Sequence, residues 1–132
     1  MGSAELKAVD TNILVRAMLG DDEAQSPIAH RILQGEIFVP LTVLLETGWV
    51  LKSNARLDRT QIAEMLATFV QLPNVQVDDV DGVLAALTAY AKEGDFADHL
   101  HLVAAKGVEA FATFDRGVAA NKGIGVPVEI IG

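Results

Sequence analysis

Cysteine is absent from this chain of 132 residues, and aromatic residues make up only 5% of it. Without cysteine, disulfides and thiolate metal sites are excluded. Long apolar runs are also missing, since the stretch around Glu46 is too short and too interrupted to span a bilayer. The N-terminus does not show a charged segment followed by an apolar one, so a secretory signal is not expected. We therefore expect a cytoplasmic protein with no membrane segment.

Basic residues are scarce, with 10 Lys and Arg against 18 Asp and Glu and a formal net charge of −8. This balance argues against a protein that coats nucleic acid by general electrostatics. It does not exclude an enzyme that cuts nucleic acid, because part of the negative charge could form a metal site. The length predicts a single domain over 4–132, and residues 1–3 read as a cloning remnant.

Strand-like and helical patterns alternate along the chain. Strands are predicted over 6–9, 37–39, 75–77, 110–114 and 126–130. Helices are predicted over 11–19, 23–33, 42–52, 59–72, 80–92, 95–106 and 116–121. Capping residues are predicted at Asp58 with Gln61, at Asp78-Asp79 and at Asp95. This alternation predicts an α/β fold with three layers, α/β/α, around a mostly parallel sheet.

Four acidic residues stand in positions where a carboxylate is unexpected. Asp10 and Asp115 follow predicted strands, whereas Glu46 interrupts an apolar helical run and Asp98 lies in a helix with few other charges. A carboxylate in apolar surroundings is costly to desolvate unless something pairs with it. Open α/β sheets bind ligands at the carboxyl edge of their strands, where parallel neighbours would bring all four acids together. Clustered oxygen donors of this kind call for Mg²⁺ or Mn²⁺.

Each acid also has a simpler interpretation. Asp10 could cap helix 1, and Asp115 could cap the short last helix. Glu46 and Asp98 could be helix residues that face solvent. Asp95 is expected mainly to cap helix 6, with a supporting role near a metal as the alternative.

Four motifs occur in order along nearly the whole chain: Asp10-Thr11-Asn12, Glu46 within the third helix, Phe96-Ala97-Asp98 and Thr113-Phe114-Asp115. Together they resemble the PIN-domain ribonucleases, most closely the VapC-type toxins of bacterial toxin–antitoxin pairs. The resemblance implies a PIN-like fold and a catalytic, metal-binding quartet formed by Asp10, Glu46, Asp98 and Asp115. It implies supporting roles for Thr11, Asn12 and Thr113. One departure is that His99 and His101 stand where many members carry small or aliphatic residues, which makes helix 6 more polar.

The chemistry that the residues themselves permit agrees with this resemblance. We find no Ser–His–acid arrangement and no phosphate-binding loop of the P-loop type. Phosphodiester hydrolysis by one or two Mg²⁺ ions in a carboxylate cage remains available. We therefore expect a metal-dependent endoribonuclease that acts on single-stranded or looped RNA. The alternatives are a catalytically silent PIN-like interaction module and a phosphatase of the haloacid dehalogenase type, which wants a second Asp where Asn12 stands.

Partners are expected on the same grounds. Helices 3 and 4 carry apolar residues that could form a homodimer or partner surface or could simply be core: Leu44, Leu45, Trp49, Met65, Leu66 and Phe69. The resemblance implies an antitoxin protein whose C-terminal segment blocks the site. RNA is the expected substrate.

Overall fold

The computed structural model describes residues 5–118 and 126–132. The chain divides into two compact units, one ending at Asp78 and the other beginning at Asp79. Each unit combines helices with a small parallel sheet. Within the described residues, no helix has the length and apolar character needed to cross a membrane.

The first unit contains β1 (Lys7–Ala8), α1 (Thr11–Leu19), α2 (Gln25–Ile32), β2 (Ile37–Phe38), α3 (Leu41–Ser53), α4 (Arg59–Val70) and β3 (Val75–Gln76). Its strands are parallel in the order β1-β2-β3, and Ile37 lies opposite both Lys7 and Val75. Helix α1 packs against α2 and α3, and α3 packs against α4. Because β1 and β2 run in the same direction, the chain leaves both strands at one edge of the sheet and enters α1 and α3 there.

The second unit contains α5 (Val80–Lys92), α6 (Phe96–Ala104), β4 (Phe111–Thr113) and β5 (Val128–Ile130). Helices α5 and α6 pack against each other and bury Val83, Ala86, Leu87, Leu100 and Leu102. Strands β4 and β5 are parallel, with Phe111 opposite Val128 and Thr113 opposite Ile130. Asp115 therefore follows the end of a parallel strand, as predicted.

Local capping signals are confirmed. Asp58 and Gln61 form a capping box, with distances of 2.8 Å from the Gln61 N–H to the Asp58 carboxylate and 3.0 Å from the Asp58 N–H to the Gln61 side chain. Asp79 caps α5, and Asp95 caps α6 by accepting the N–H of Ala97 at 3.0 Å. These caps satisfy backbone donors that the first turn of a helix leaves unpaired.

Some boundaries differ from the prediction. Helix α2 begins at Gln25 rather than at residue 23, because residues 23 and 24 form a turn. The Asp22 carboxylate caps this turn by accepting the N–H groups of Ala24 and Gln25 at 3.0 and 2.7 Å. The strands are shorter than predicted, at two or three residues each. Of the helix predicted over 116–121, residues 119–121 lie outside the described residues.

Half of the six apolar residues considered for a partner surface are core. Leu44, Leu66 and Phe69 are buried, Leu45 and Met65 are half-buried, and only Trp49 is clearly exposed, at 65%. The interpretation of these side chains as core is therefore correct for the first three. A homodimer stays a prediction with a smaller apolar surface to support it.

Candidate active site

Asp10 lies between β1 and α1, directly before the first residue of α1. Its backbone is extended, and it occupies the N-cap of α1 with its carboxylate accepting the N–H of Thr11 at 2.6 Å. The preceding residue, Val9, is buried and donates its N–H to Phe38 of the neighbouring strand at 3.2 Å. The capping role is thus real, and it also fixes an exposed carboxylate at the sheet edge.

Thr11 links Asp10 to Glu46. The Thr11 hydroxyl, in a side chain only 5% exposed, donates a hydrogen bond to the Glu46 carboxylate of α3. Glu46 itself is exposed, as the simpler interpretation allowed. In the first unit, Thr11 therefore contacts two of the predicted acids: its backbone N–H donates to Asp10 and its hydroxyl donates to Glu46. Asn12, the next residue of α1, is exposed, and its supporting role stays a prediction.

Asp98 lies in the first turn of α6 and is half-buried. Burial raises the pKa of this carboxyl above its ordinary value, and the negative charges of Asp95 and Asp115 raise it further, against smaller opposing effects of His101 and His99. Three acids of the second unit are thus close enough for two of them to disfavour ionisation of the third. The sequence predicted two of these acids as catalytic and Asp95 as a supporting residue.

Asp115 is held in a tight turn after β4. Its N–H donates to the Thr113 hydroxyl at 3.0 Å, and its carboxylate accepts the N–H of Gly117 at 2.8 Å. The Val118 N–H also reaches the Asp115 carbonyl at 3.2 Å. Thr113 therefore positions the backbone of Asp115, while the carboxylate remains in an exposed residue.

The donor chemistry of these residues fits a hard divalent cation. Mg²⁺ and Mn²⁺ prefer oxygen ligands. Burial raises the pKa of Asp98 and repulsion from Asp95 and Asp115 raises it further, and a cation beside Asp98 would offset that repulsion. Among residues 5–118 and 126–132, no group of three or more His, Asp or Glu side chains is arranged to hold a metal ion. The assignment of the four acids as ligands accordingly stays a prediction.

His99 is buried, contrary to the expectation that it makes the sixth helix more polar. It is only 1% exposed and does not add to a polar face of α6. The spacing that could have shown this is the apolar stripe Phe96, His99, Leu100 and Val103, at i, i+3, i+4 and i+7. His101 is exposed, and its ring stacks on Phe111 with centroids 6.2 Å apart and planes inclined by 12°.

Comparison with known proteins gives one family. The model of the PIN domain family matches residues 7–123, most of the chain. No curated protein and no solved structure gave a significant match. The family match and the parallel pairing of the strands confirm the α/β fold class expected from the strand and helix pattern. The chain therefore belongs to the PIN domain family.

Proposed function

We propose that this protein is an endoribonuclease that requires Mg²⁺ or Mn²⁺ and cleaves single-stranded or looped RNA. The observation that carries the proposal is the acid group of the second unit, in which burial, and then the negative charges of Asp95 and Asp115, raise the pKa of Asp98. Acids whose pKa is shifted by burial and by neighbouring charges occur frequently at functional sites. PIN domains are generally nucleases that bind RNA and use divalent metal ions, which supports the same reading.

In this proposal Asp10, Glu46, Asp98 and Asp115 serve one reaction. A bound divalent cation would supply Lewis acidity and charge neutralisation at the phosphodiester. The chain itself orients the acids: the Thr11 N–H fixes the Asp10 carboxylate, and the Thr11 hydroxyl fixes Glu46. In the second unit the Gly117 N–H fixes the Asp115 carboxylate. Each hydrogen bond restricts a side chain that would otherwise rotate freely, which lowers the cost of assembling the reactive arrangement.

Binding along a duplex relies on many Lys and Arg contacts to phosphates, and a protein with a net charge of −8 is poorly suited to that. The charge therefore favours a short unpaired RNA segment at the site over a duplex. Sequence-specific proteins commonly take RNA as loops and ends, where bases and backbone can be splayed out. We accordingly expect cleavage of a structured RNA pool in Mg²⁺ or Mn²⁺, with new ends at unpaired positions. End mapping by sequencing measures this, and a perfect duplex of a cleaved sequence is the control. Cleavage that persists in EDTA would contradict a metal-dependent mechanism. Failure to cleave any RNA would favour a catalytically silent interaction module.

The fluorescence of Trp49 can report RNA binding separately from cleavage. It is the one tryptophan of the chain, it is 65% exposed, and it lies three residues after Glu46 on α3. Residues three apart on a helix are neighbours on its surface. We expect unpaired RNA to quench the fluorescence of Trp49 in the non-cleaving Asp98→Asn variant, because bases stack readily on exposed aromatic rings. A duplex should quench less. Unchanged emission during binding seen by anisotropy would show that RNA does not approach α3 at this turn.

The toxin role is proposed from the resemblance of the motifs to VapC-type toxins. It includes an antitoxin protein as partner and a homodimer. The test is co-expression with a small protein encoded beside this gene, which should suppress RNA cleavage by the purified complex. Light scattering of the purified protein at micromolar concentration tests the dimer, and a strict monomer would contradict it.

A further inference from the structure

The turn between α5 and α6 is held by a buried histidine. His99 lies on α6, and its Nε2 is 2.9 Å from the carbonyl oxygen of Glu93, the C-cap of α5. A carbonyl oxygen can only accept, so the ring donates an N–H from Nε2. This hydrogen bond ties the C-cap of α5 to α6 across the three-residue connection formed by Glu93, Gly94 and Asp95.

Gly94 fits closely beneath this ring. Its φ is +88°, in the left-handed region where a side chain is strained. A Cβ at this position would also lie 2.7 Å from Nε2 of His99, closer than real Cβ contacts come. The residue that follows is Asp95, which caps α6. The ring, the glycine and the cap therefore define where α6 begins.

The other ring nitrogen of His99 is not satisfied. Nδ1 is buried and has no hydrogen-bond partner among residues 5–118 and 126–132. A buried polar atom without a partner is destabilising, and an aliphatic side chain of similar volume would fill the same space without it. Packing alone thus gives no account of a histidine here. The hydrogen bond to Glu93 does, because an aliphatic side chain could not make it.

We propose that His99 is a positioning residue for the acids at the start of α6. By fixing the α5–α6 turn, its Nε2–H holds Asp95 and Asp98 in the relative placement that binds the divalent cation. The proposal rests on the proposed metal-dependent function. It assigns no contact between His99 and either metal or RNA. Its effect passes through the backbone of residues 93–95 into the first turn of α6.

The test compares His99→Leu with His99→Gln. Leucine fills the cavity without a donor, whereas the side-chain amide of glutamine can place an N–H near the position of Nε2. Residues that orient metal ligands typically change metal affinity by about 10- to 100-fold when they are replaced. We expect His99→Leu to weaken Mn²⁺ binding by roughly tenfold, and His99→Gln to restore most of it. Amide hydrogen exchange of Ala97 and Asp98 in the metal-free protein should accelerate in the leucine variant.

Val103→Ala is the matched control. Val103 is on the same helix and only 3% exposed, and among the described residues it makes no hydrogen bond to residues 93–95. It should lower the melting temperature while leaving Mn²⁺ affinity and exchange at the start of α6 near wild type. If His99→Leu does not fold, the pair His99→Asn and His99→Gln decides in its place, since the asparagine amide is one methylene shorter. Equal Mn²⁺ affinity in the wild type and in the variant without the donor would overturn the positioning role. A wild type that neither binds Mn²⁺ nor cleaves RNA would overturn the proposed function itself, and the positioning role with it.

Discussion

Asp98→Asn is expected to make the metal-free protein more stable at neutral pH. Burial and the charges of Asp95 and Asp115 raise the pKa of Asp98 in the folded state. Stability from such a group is fully present below its unfolded pKa and is lost as the pH rises through the folded pKa. Asparagine cannot ionise and escapes this loss. Because Asp98 is partly exposed and solvent screens its interactions, we expect a gain of about 1 kcal/mol or less. Urea unfolding from pH 3 to pH 7 in EDTA measures it.

Asp22 provides a control of opposite sign. The N–H of Gln25 is the main cause that lowers the pKa of Asp22, and Arg16 adds a smaller effect in the same direction. Its contribution is therefore present above the unfolded pKa and is lost as the pH falls through the folded pKa. Asp22→Asn should destabilise the protein at neutral pH, where Asp98→Asn stabilises it. Identical pH profiles for the two variants would contradict the raised pKa of Asp98.

The second large effect is the joint loss of metal response and activity when any acid of the quartet is neutralised. At a hundredfold excess over its Kd, Mn²⁺ should stabilise the wild type by about 2.7 kcal/mol. Asp10→Asn, Glu46→Gln, Asp98→Asn and Asp115→Asn should each lose most of this stabilisation. Metal ions stabilise transition-state charge by several kcal/mol, so cleavage should fall on the order of 1000-fold. Melting curves with and without Mn²⁺ and single-turnover cleavage rates measure the two effects.

The matched controls are two exposed acids outside the four motif positions. Glu64 lies on α4 and Asp81 on α5. Glu64→Gln corresponds to Glu46→Gln, and Asp81→Asn corresponds to Asp98→Asn. Both controls should keep the Mn²⁺ response and the cleavage rate of the wild type. If all six variants behave alike, the four acids have no shared role.

The local structure was largely predictable, because its signals lie close together in sequence. Asp58 and Gln61 are three residues apart, and their capping box could be read from the chain directly. The same holds for Asp95 at the start of α6. The start of α2 was predicted two residues early. The Asp22 carboxylate does accept the N–H groups of Ala24 and Gln25, but residues 23 and 24 form a turn before the helix begins. Boundaries depend on which polar group reaches a backbone donor, and periodicity does not report that.

The contacts of the candidate site were less predictable than its residues. The motifs named Thr11 and Glu46, but the hydrogen bond between them joins positions 35 residues apart and depends on how α1 packs against α3. The burial of His99 followed from a periodic stripe that its polar character obscured. Its bond to the Glu93 carbonyl and the close fit of Gly94 depend on the path of the turn, which residue types alone do not specify.

The most direct test of the central claim is the rate of cleavage of one unpaired RNA as a function of free Mn²⁺, measured on wild type and Asp10→Asn. The proposed mechanism predicts no cleavage in EDTA and a rate that saturates with Mn²⁺. Half of the maximal rate should occur at the concentration that gives half of the Mn²⁺-induced rise in melting temperature, and Asp10→Asn should show neither response. Cleavage that continues in EDTA, or an Asp10→Asn curve that coincides with the wild-type curve, would contradict a metal-dependent nuclease that uses these acids.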